Sequence, residues 1–194
     1  LDEIDLSDHI ISIESLKKHA LEDKFPQINE SDMADIIFTS GTTGKPKGVI
    51  STHVQNIKVF DYWSSYIGLN EKDQYLIVNP FFHTFGYKAG WLASIMRGAT
   101  AYPCPVFDAD KIIEMINKEK ISMLPGPPTL YQSILTSNLI ETMDISSLRL
   151  GVTGAASIPV QLIKDMKEKL GFDTVITAYG LTESTGVVTM CTPD

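Results

Sequence analysis

Cysteine is scarce in this chain. Its two cysteines, Cys104 and Cys191, lie far apart and in no metal-binding or redox spacing. That excludes a disulfide framework and a Cys/His zinc site, and it suits a reducing, cytoplasmic setting. Long apolar runs are also missing. None approaches the roughly 18 residues of a membrane span, so no transmembrane segment is expected. Basic residues are few: 16 Lys and Arg stand against 24 Asp and Glu, a formal net charge of −8. An electrostatic nucleic-acid surface needs the opposite balance, so no nucleic-acid partner is expected. There is no internal repeat, no low-complexity tract and no basic leader at Leu1-Asp2-Glu3-Ile4. The expectation is a protein without a signal peptide, and, from the abrupt end at Thr192-Pro193-Asp194, a fragment of a longer one.

What is present is a globular composition, 43% hydrophobic over 194 residues, enough for one sizeable core. The most informative stretch is Phe38-Thr39-Ser40-Gly41-Thr42-Thr43-Gly44-Lys45-Pro46-Lys47-Gly48. It follows Met33 to Phe38, which reads as a short buried strand. Glycines at 41, 44 and 48 let backbone N–H groups approach a ligand, and successive N–H groups in a turn cradle an anion. Thr39, Ser40, Thr42 and Thr43 add hydroxyl donors, and Lys45 and Lys47 add positive charge. Pro46 bars a helix from running through the lysines. A plain polar surface loop is the competing reading. The strand in front and the lysines flanking a proline favour a cradle for a polyphosphate. It is not the common P-loop, because Gly41 and Gly44 are too close together and Pro46 stands where a metal-binding hydroxyl belongs.

Strand and helix alternate through the rest. Residues 1–30 read as a leading segment and linker, with a short helix over Ile13 to Ala20 capped by Ser12. Residues 31–194 read as a partial domain. Expected strands are Val49 to Ser51, Gln74 to Asn79, Ala99 to Tyr102, Ile121 to Leu124, Leu148 to Val152 and Thr174 to Ala178. Expected helices are His53 to Tyr66 ending at Gly68, Phe85 to Met96 ending at Gly98, and Ala109 to Lys120. The last is capped by Asp108 and buries Ile112, Ile113, Met115 and Ile116. Two more start at Pro127-Pro128, running to about Thr136, and at Pro159, ended by Gly171. Strands that are apolar without alternation imply an α/β fold: a mainly parallel sheet covered by helices on both faces.

Ligands of such sheets sit past the carboxyl ends of the strands. The chemistry-bearing segments fall there: loop 39–48, Pro80 to His83, Pro125 to Pro128, Gly154-Ala155-Ala156, and Tyr179-Gly180-Leu181-Thr182-Glu183. One shared pocket is therefore expected. In the last segment Tyr179 offers a face for a purine, Gly180 a bare backbone and Thr182 a donor to a phosphate oxygen. Glu183 beside a phosphate implies an intervening Mg²⁺. A solvated strand end would carry the same letters; the pairing with loop 39–48 favours the nucleotide.

Two motifs resemble those of the adenylate-forming, AMP-binding superfamily, which includes acyl-CoA synthetases, luciferases and adenylation domains. Thr39 to Gly48 resembles its phosphate loop letter for letter, and Tyr179 to Glu183 resembles its downstream adenine and magnesium motif. The resemblance covers about residues 31–190 and implies part of the large-domain fold of acyl-CoA synthetases. It implies that Tyr179 packs on adenine, Thr182 meets the α-phosphate, and Glu183 with Thr39 holds Mg²⁺. Ser40, Gly41, Thr42, Thr43, Gly44, Lys45 and Lys47 would close over the β- and γ-phosphates. The backbone of Gly154, Ala155 and Ala156 would line the adenine and the acyl carboxylate.

Phe81-Phe82-His83-Thr84-Phe85-Gly86 resembles the family's aromatic-histidine motif. It implies His83 as a donor to the substrate carboxylate, with Phe81 and Phe82 either walling the acid pocket or packing in the core. A histidine that only caps the next helix is the alternative. Thr182, Glu183, His83 and Lys47 are the implied catalytic residues. Leu181, where peptide-synthetase domains usually carry proline, and the lack of an Asp after the aromatic segment favour acyl-CoA ligases. The run from Phe81 to Gly90 resembles ligases of short-to-medium or polycyclic acids.

The implied activity is activation of a carboxylic, fatty-type acid with ATP to acyl-AMP and then transfer to CoA. The family's downstream ribose-binding Asp, hinge and small C-terminal domain with its catalytic Lys do not occur in this sequence. The intact parent is therefore the expected enzyme, and this stretch alone is expected to be inactive. Other readings are an amino- or aryl-acid adenylation domain without CoA transfer, a non-catalytic nucleotide-binding homologue, or a structural interaction domain. The last leaves the strand-end clustering unexplained.

Overall fold

The computed structural model describes residues 27–40 and 44–192. The expected helix over Ile13 to Ala20, its Ser12 cap, and Gly41, Thr42 and Thr43 lie outside the described residues. The chain runs β1 (Met33–Thr39), β2 (Lys47–Thr52), α1 (His53–Tyr66), β3 (Gln74–Ile77), a π-helix (Phe85–Leu92) and α2 (Ala93–Arg97). It continues through β4 (Thr100–Pro103), α3 (Ala109–Glu119), α4 (Pro128–Leu135), β5 (Leu150–Gly154), α5 (Val160–Glu168), β6 (Thr174–Tyr179) and β7 (Thr189–Met190).

The main sheet is parallel, as the apolar strands require. β3 pairs with β4, and β5 with β6. Met123 bridges Tyr75 on one side and Leu150 on the other, which joins the two halves. The expected strand Ile121 to Leu124 thus occupies a strand's place: it forms isolated bridges at Met123 and Gly126 rather than a continuous ladder, and the Ser122 and Leu124 N–H groups donate to the Gln74 and Leu150 carbonyls at 3.0 and 3.1 Å. Pro125, between the two bridges, interrupts the ladder because it has no N–H to give. β7 adds an antiparallel edge to β6.

Each face of the sheet buries its own core. Leu76 points to the side of α3, α4 and α5, into a cluster with Ile112, Ile113, Ile116, Leu130, Tyr131 and Met166. Its neighbours Tyr75 and Ile77 point the other way, to Phe60, Trp63, Ala89 and Ala93 of α1, the π-helix and α2. This is the two-residue alternation of a strand covered on both sides. In α3 the Asp108 carboxylate accepts from the N–H of Asp110 at 3.1 Å and of Lys111 at 3.2 Å, the cap read from the sequence. Ile112, Ile113 and Ile116 are buried as expected, whereas Met115 is half-buried.

Two elements differ from expectation. β1 is a strand, but not a buried one, and it pairs antiparallel with β2 alone, apart from the parallel sheet. Ile37 faces inward, while Ile36 and Phe38 are exposed. A hairpin packed on one side only leaves alternate side chains in solvent. The helix expected from Phe85 to Met96 begins as a π-helix before tightening into α2. Small residues allow the wider turn to lie on the sheet. A Cβ at Gly86 would sit 2.3 Å from the Asn79 carbonyl oxygen, so only glycine fits there. The Tyr75 hydroxyl and the Ser94 hydroxyl donate to the carbonyls of Ala89 and Gly90, at 3.1 and 2.8 Å. Among the described residues no helix is long and apolar enough to cross a membrane.

Candidate active site

Thr39 and Lys47 face each other across the β1–β2 ladder and close the base of the glycine-rich loop. Both open on a cavity of about 550 Å³ at the carboxyl ends of the strands. From across the sheet the same cavity receives Gly154, the last residue of β5, with Ala155, and Tyr179, the last residue of β6, with Gly180, Thr182 and Glu183. Ser40 and His83 complete the polar rim. Two motifs more than a hundred residues apart in the chain therefore share one space.

The turn after β6 is built to hold its shape. The N–H of Gly186 donates to the Leu181 carbonyl at 2.8 Å, and that of Thr185 donates to Thr182 at 3.0 Å. Thr185 takes a left-handed φ of 65°. A Cβ at Gly180 would meet the Gly186 carbonyl oxygen at 1.8 Å, so the motif's glycine is a packing requirement. Ala155 also adopts a left-handed φ of 65°, an uncommon and strained state for a residue with a side chain. That strain lies at the cavity wall, where strained backbone tends to occur.

His83 both lines the cavity and caps the π-helix. Its Nδ1 accepts the N–H of Phe85 at 3.1 Å. Partial burial lowers its pKa below the ordinary histidine value. Both effects favour the neutral ring, which leaves Nε2–H as a donor. The capping role and the cavity role are therefore compatible.

The remaining expected residues divide. Ala156 lines an adjoining hollow of about 650 Å³, which shares Ala155, Tyr179, Gly180 and Leu181 with the cavity. Gly44 and Lys45 are described but exposed, and do not line it. Pro125 to Pro128 also stays out of the cavity lining. Gly126 is instead buried near Leu130 and Val78, so four of the five strand-end segments converge. Phe81 and Phe82 wall neither the cavity nor the core. Both are exposed, beside a shallow depression with Ile36, Phe38 and Tyr87.

Several site residues escaped the sequence reading. Phe60, Trp63, Phe85, Ala89, Val152 and Val187 form the apolar floor. Behind them, Lys88 is fully buried, its Nζ 3.0 Å from Asp35 Oδ1 and donating to Ser51 Oγ at 3.0 Å. Asn56 Nδ2 donates to the other Asp35 oxygen at 2.6 Å. This cluster fastens the hairpin of the glycine-rich loop to α1 and the π-helix. The available signal was a lysine inside the apolar run Tyr87-Lys88-Ala89-Gly90-Trp91 and an aspartate inside a strand.

The arrangement offers hydroxyls, an ammonium and a carboxylate on the rim, a neutral imidazole below, and an apolar floor. No cluster of three His, Cys, Asp or Glu suited to a metal occurs among the described residues. Glu183 with the Thr39 hydroxyl is a small oxygen donor set. It fits a Mg²⁺ ion that takes its other ligands from phosphates and water.

A family model described as AMP-binding enzyme matches residues 2–194. The chain is 48% identical over 167 residues to 3-[(3aS,4S,7aS)-7a-methyl-1,5-dioxo-octahydro-1H-inden-4-yl]propanoyl:CoA ligase of Rhodococcus jostii (strain RHA1). That match covers 86% of this chain and 32% of the relative, so the chain spans about a third of the length of the curated protein it matches. Among solved structures, it superposes on the inhibitor-bound N-terminal domain of FACL13 from Mycobacterium tuberculosis with a TM-score of 0.84 at 32% identity. This covers 91% of this chain and 44% of that one. It superposes on O-succinylbenzoate coenzyme A synthetase (MenE) of Bacillus subtilis, in complex with ATP and magnesium ion, with a TM-score of 0.79 at 29% identity. This covers 94% of this chain and 38% of that one.

Proposed function

The chain belongs to the AMP-binding enzyme family, and on that premise we propose that its full natural protein is an ATP-dependent acid–thiol ligase. It joins an apolar carboxylic acid to AMP and then to CoA. The single observation that carries the reading is the convergence of Thr39, Ser40 and Lys47 with Thr182 and Glu183 on one cavity, with His83 at its side.

In the first half-reaction a carboxylate oxygen of the acid attacks the α-phosphorus of ATP, and the bond to pyrophosphate breaks. Lys47, Ser40, Thr39 and the amides of the glycine-rich loop hold the phosphates and offset the charge that grows on the leaving pyrophosphate. Thr182 donates to the α-phosphate. Tyr179 and the turn Gly154-Ala155-Ala156 hold the adenine. His83, neutral, donates from Nε2 to the carboxylate and fixes its direction. Glu183 and Thr39 would hold Mg²⁺, which supplies charge neutralisation at the phosphates when bound. In the second half-reaction the CoA sulfur attacks the acyl carbonyl, AMP departs, and the thiol proton passes to solvent.

The floor of Phe60, Trp63, Phe85 and Val152 supports an apolar acid body. The octahydroindenyl-propanoyl compound in the name of the Rhodococcus relative is a compact, ring-bearing example of that chemistry. Ligation in a reducing cytoplasmic compartment fits the two unbridged cysteines. Incubating the full natural protein with Mg-ATP, CoA and a panel of linear, aromatic and fused-ring acids tests the reading. AMP and acyl-CoA should appear with apolar acids, and Glu183→Gln should lower the rate by about 100-fold. Absence of AMP with every acid would overturn it.

A further inference from the structure

Trp63 stands between two hollows. On its inner side it lines the cavity with Phe60, Ala89 and Val152. On its outer side it lines a surface groove of about 470 Å³ between α1 and β7, with Lys58, Tyr62, Tyr66 and Val188. Val187 also borders both spaces. Trp63 is only 2% exposed, and its ring packs edge-on against Phe60 with centroids 6.2 Å apart. The groove beyond is open: Tyr62 is 76% exposed and Val188 55%. One indole, backed by one valine, lies between the apolar floor of the cavity and an open groove at the surface.

We propose that Trp63 is the specificity-determining partition of the acid site, setting how long an acid the cavity accepts. The proposal rests on the reading that the cavity takes the acid, with its carboxylate at His83. With the indole in place the acid body ends against it, which favours short or compact acids. With the indole removed, the cavity and the groove become one passage. The tail of a straight-chain acid can then run out beside Tyr62 and Tyr66 while its carboxylate stays at His83. Each methylene that enters the passage leaves water, so the longer chains gain most. A tryptophan that only fills the core would act otherwise, because its loss would weaken every acid alike.

The test uses the full natural protein carrying Trp63→Phe, Trp63→Leu or Trp63→Ala. The kcat/KM for acyl-CoA formation is measured across straight-chain acids from hexanoate to hexadecanoate and one fused-ring propanoate, with thermal melting alongside. The preferred length should increase in the order Phe, Leu, Ala. Trp63→Ala should gain about tenfold or more on the longest acids and lose on the fused-ring acid, with the KM for ATP unchanged. A parallel fall for all acids, with the preferred length unmoved in a folded variant, overturns the partition and leaves the ligase reading standing. If Trp63→Ala fails to fold, the Leu and Phe variants decide by the same criterion. A wild-type protein that forms no acyl-AMP with any acid overturns both.

Discussion

His83 uses its two ring nitrogens for separate tasks. Nδ1 takes the Phe85 N–H, so the neutral ring carries its proton on the side that the proposal gives to the substrate. Its pKa is depressed by lost hydration. The sign follows directly. A histidine with a folded pKa below the ordinary value of about 6.5 binds fewer protons folded than unfolded. The stability it contributes is full above that ordinary value and is lost as the pH falls through the folded pKa. A pH profile of kcat/KM for the acid should therefore stay flat below pH 6.5 before it drops, because the neutral donor persists. His83→Ala should abolish that limb and raise the acid's KM more than that of ATP. At this scale the polar rim was legible in the sequence, since hydroxyls, glycines and lysines declare their chemistry by type. Lys88, Asp35 and Asn56 were not. A buried charge is recognised by its partner, and here the partners lie on different elements.

At the scale of elements, periodicity was enough for most of the fold. The α1 bounds, the Asp108 cap on α3 and the alternation of parallel strands with helices followed from apolar spacing and end signals. The hairpin was misjudged for a physical reason. Ile36, Phe38 and Ile50 are apolar yet point outward, so both faces of β1 look like core in the sequence. The π-helix was invisible because it shares its residue types with an ordinary helix and differs only in turn width. What joins these two elements is the Lys88–Asp35 pair. Lys88→Ala leaves Asp35 facing an apolar gap, and should cost about 3–5 kcal/mol in denaturant unfolding. Lys88→Met combined with Asp35→Leu should recover much of that stability. Without the polar bolt the loop and the acid wall would lose their fixed spacing, so the double variant should still adenylate slowly.

At the scale of the whole molecule the two ends of the sheet divide their work. The carboxyl ends hold the cavity. At the opposite rim, Arg149 grips Asp73 at 2.6 and 2.9 Å and donates to the Gly68 carbonyl at 2.9 Å, while Ser122 adds a bond at 2.7 Å. Burial pushes the Asp73 pKa up, but Arg149 and Ser122 outweigh it and hold the carboxyl below its ordinary value. Its stabilising contribution is thus present above the usual carboxylate pKa of about 3.9 and fades as the pH falls through the depressed one. Asp73→Ala should lower stability at pH 7 by about 3 kcal/mol, read from denaturant melts. The affinity for Mg-ATP, measured by titration calorimetry at a temperature where the variant is folded, should not change.

The hairpin's isolation has a dynamic corollary. β1 and β2 pair only with each other among the described strands, so once the Lys88–Asp35 contact opens they can move as a unit while every rung of the parallel array stays intact. Amide protons at 33–39 and 47–52 should therefore exchange with deuterium faster than those of β5 and β6, and as a block. Nucleotide should slow that block selectively, as a latch slows a door without stiffening the wall.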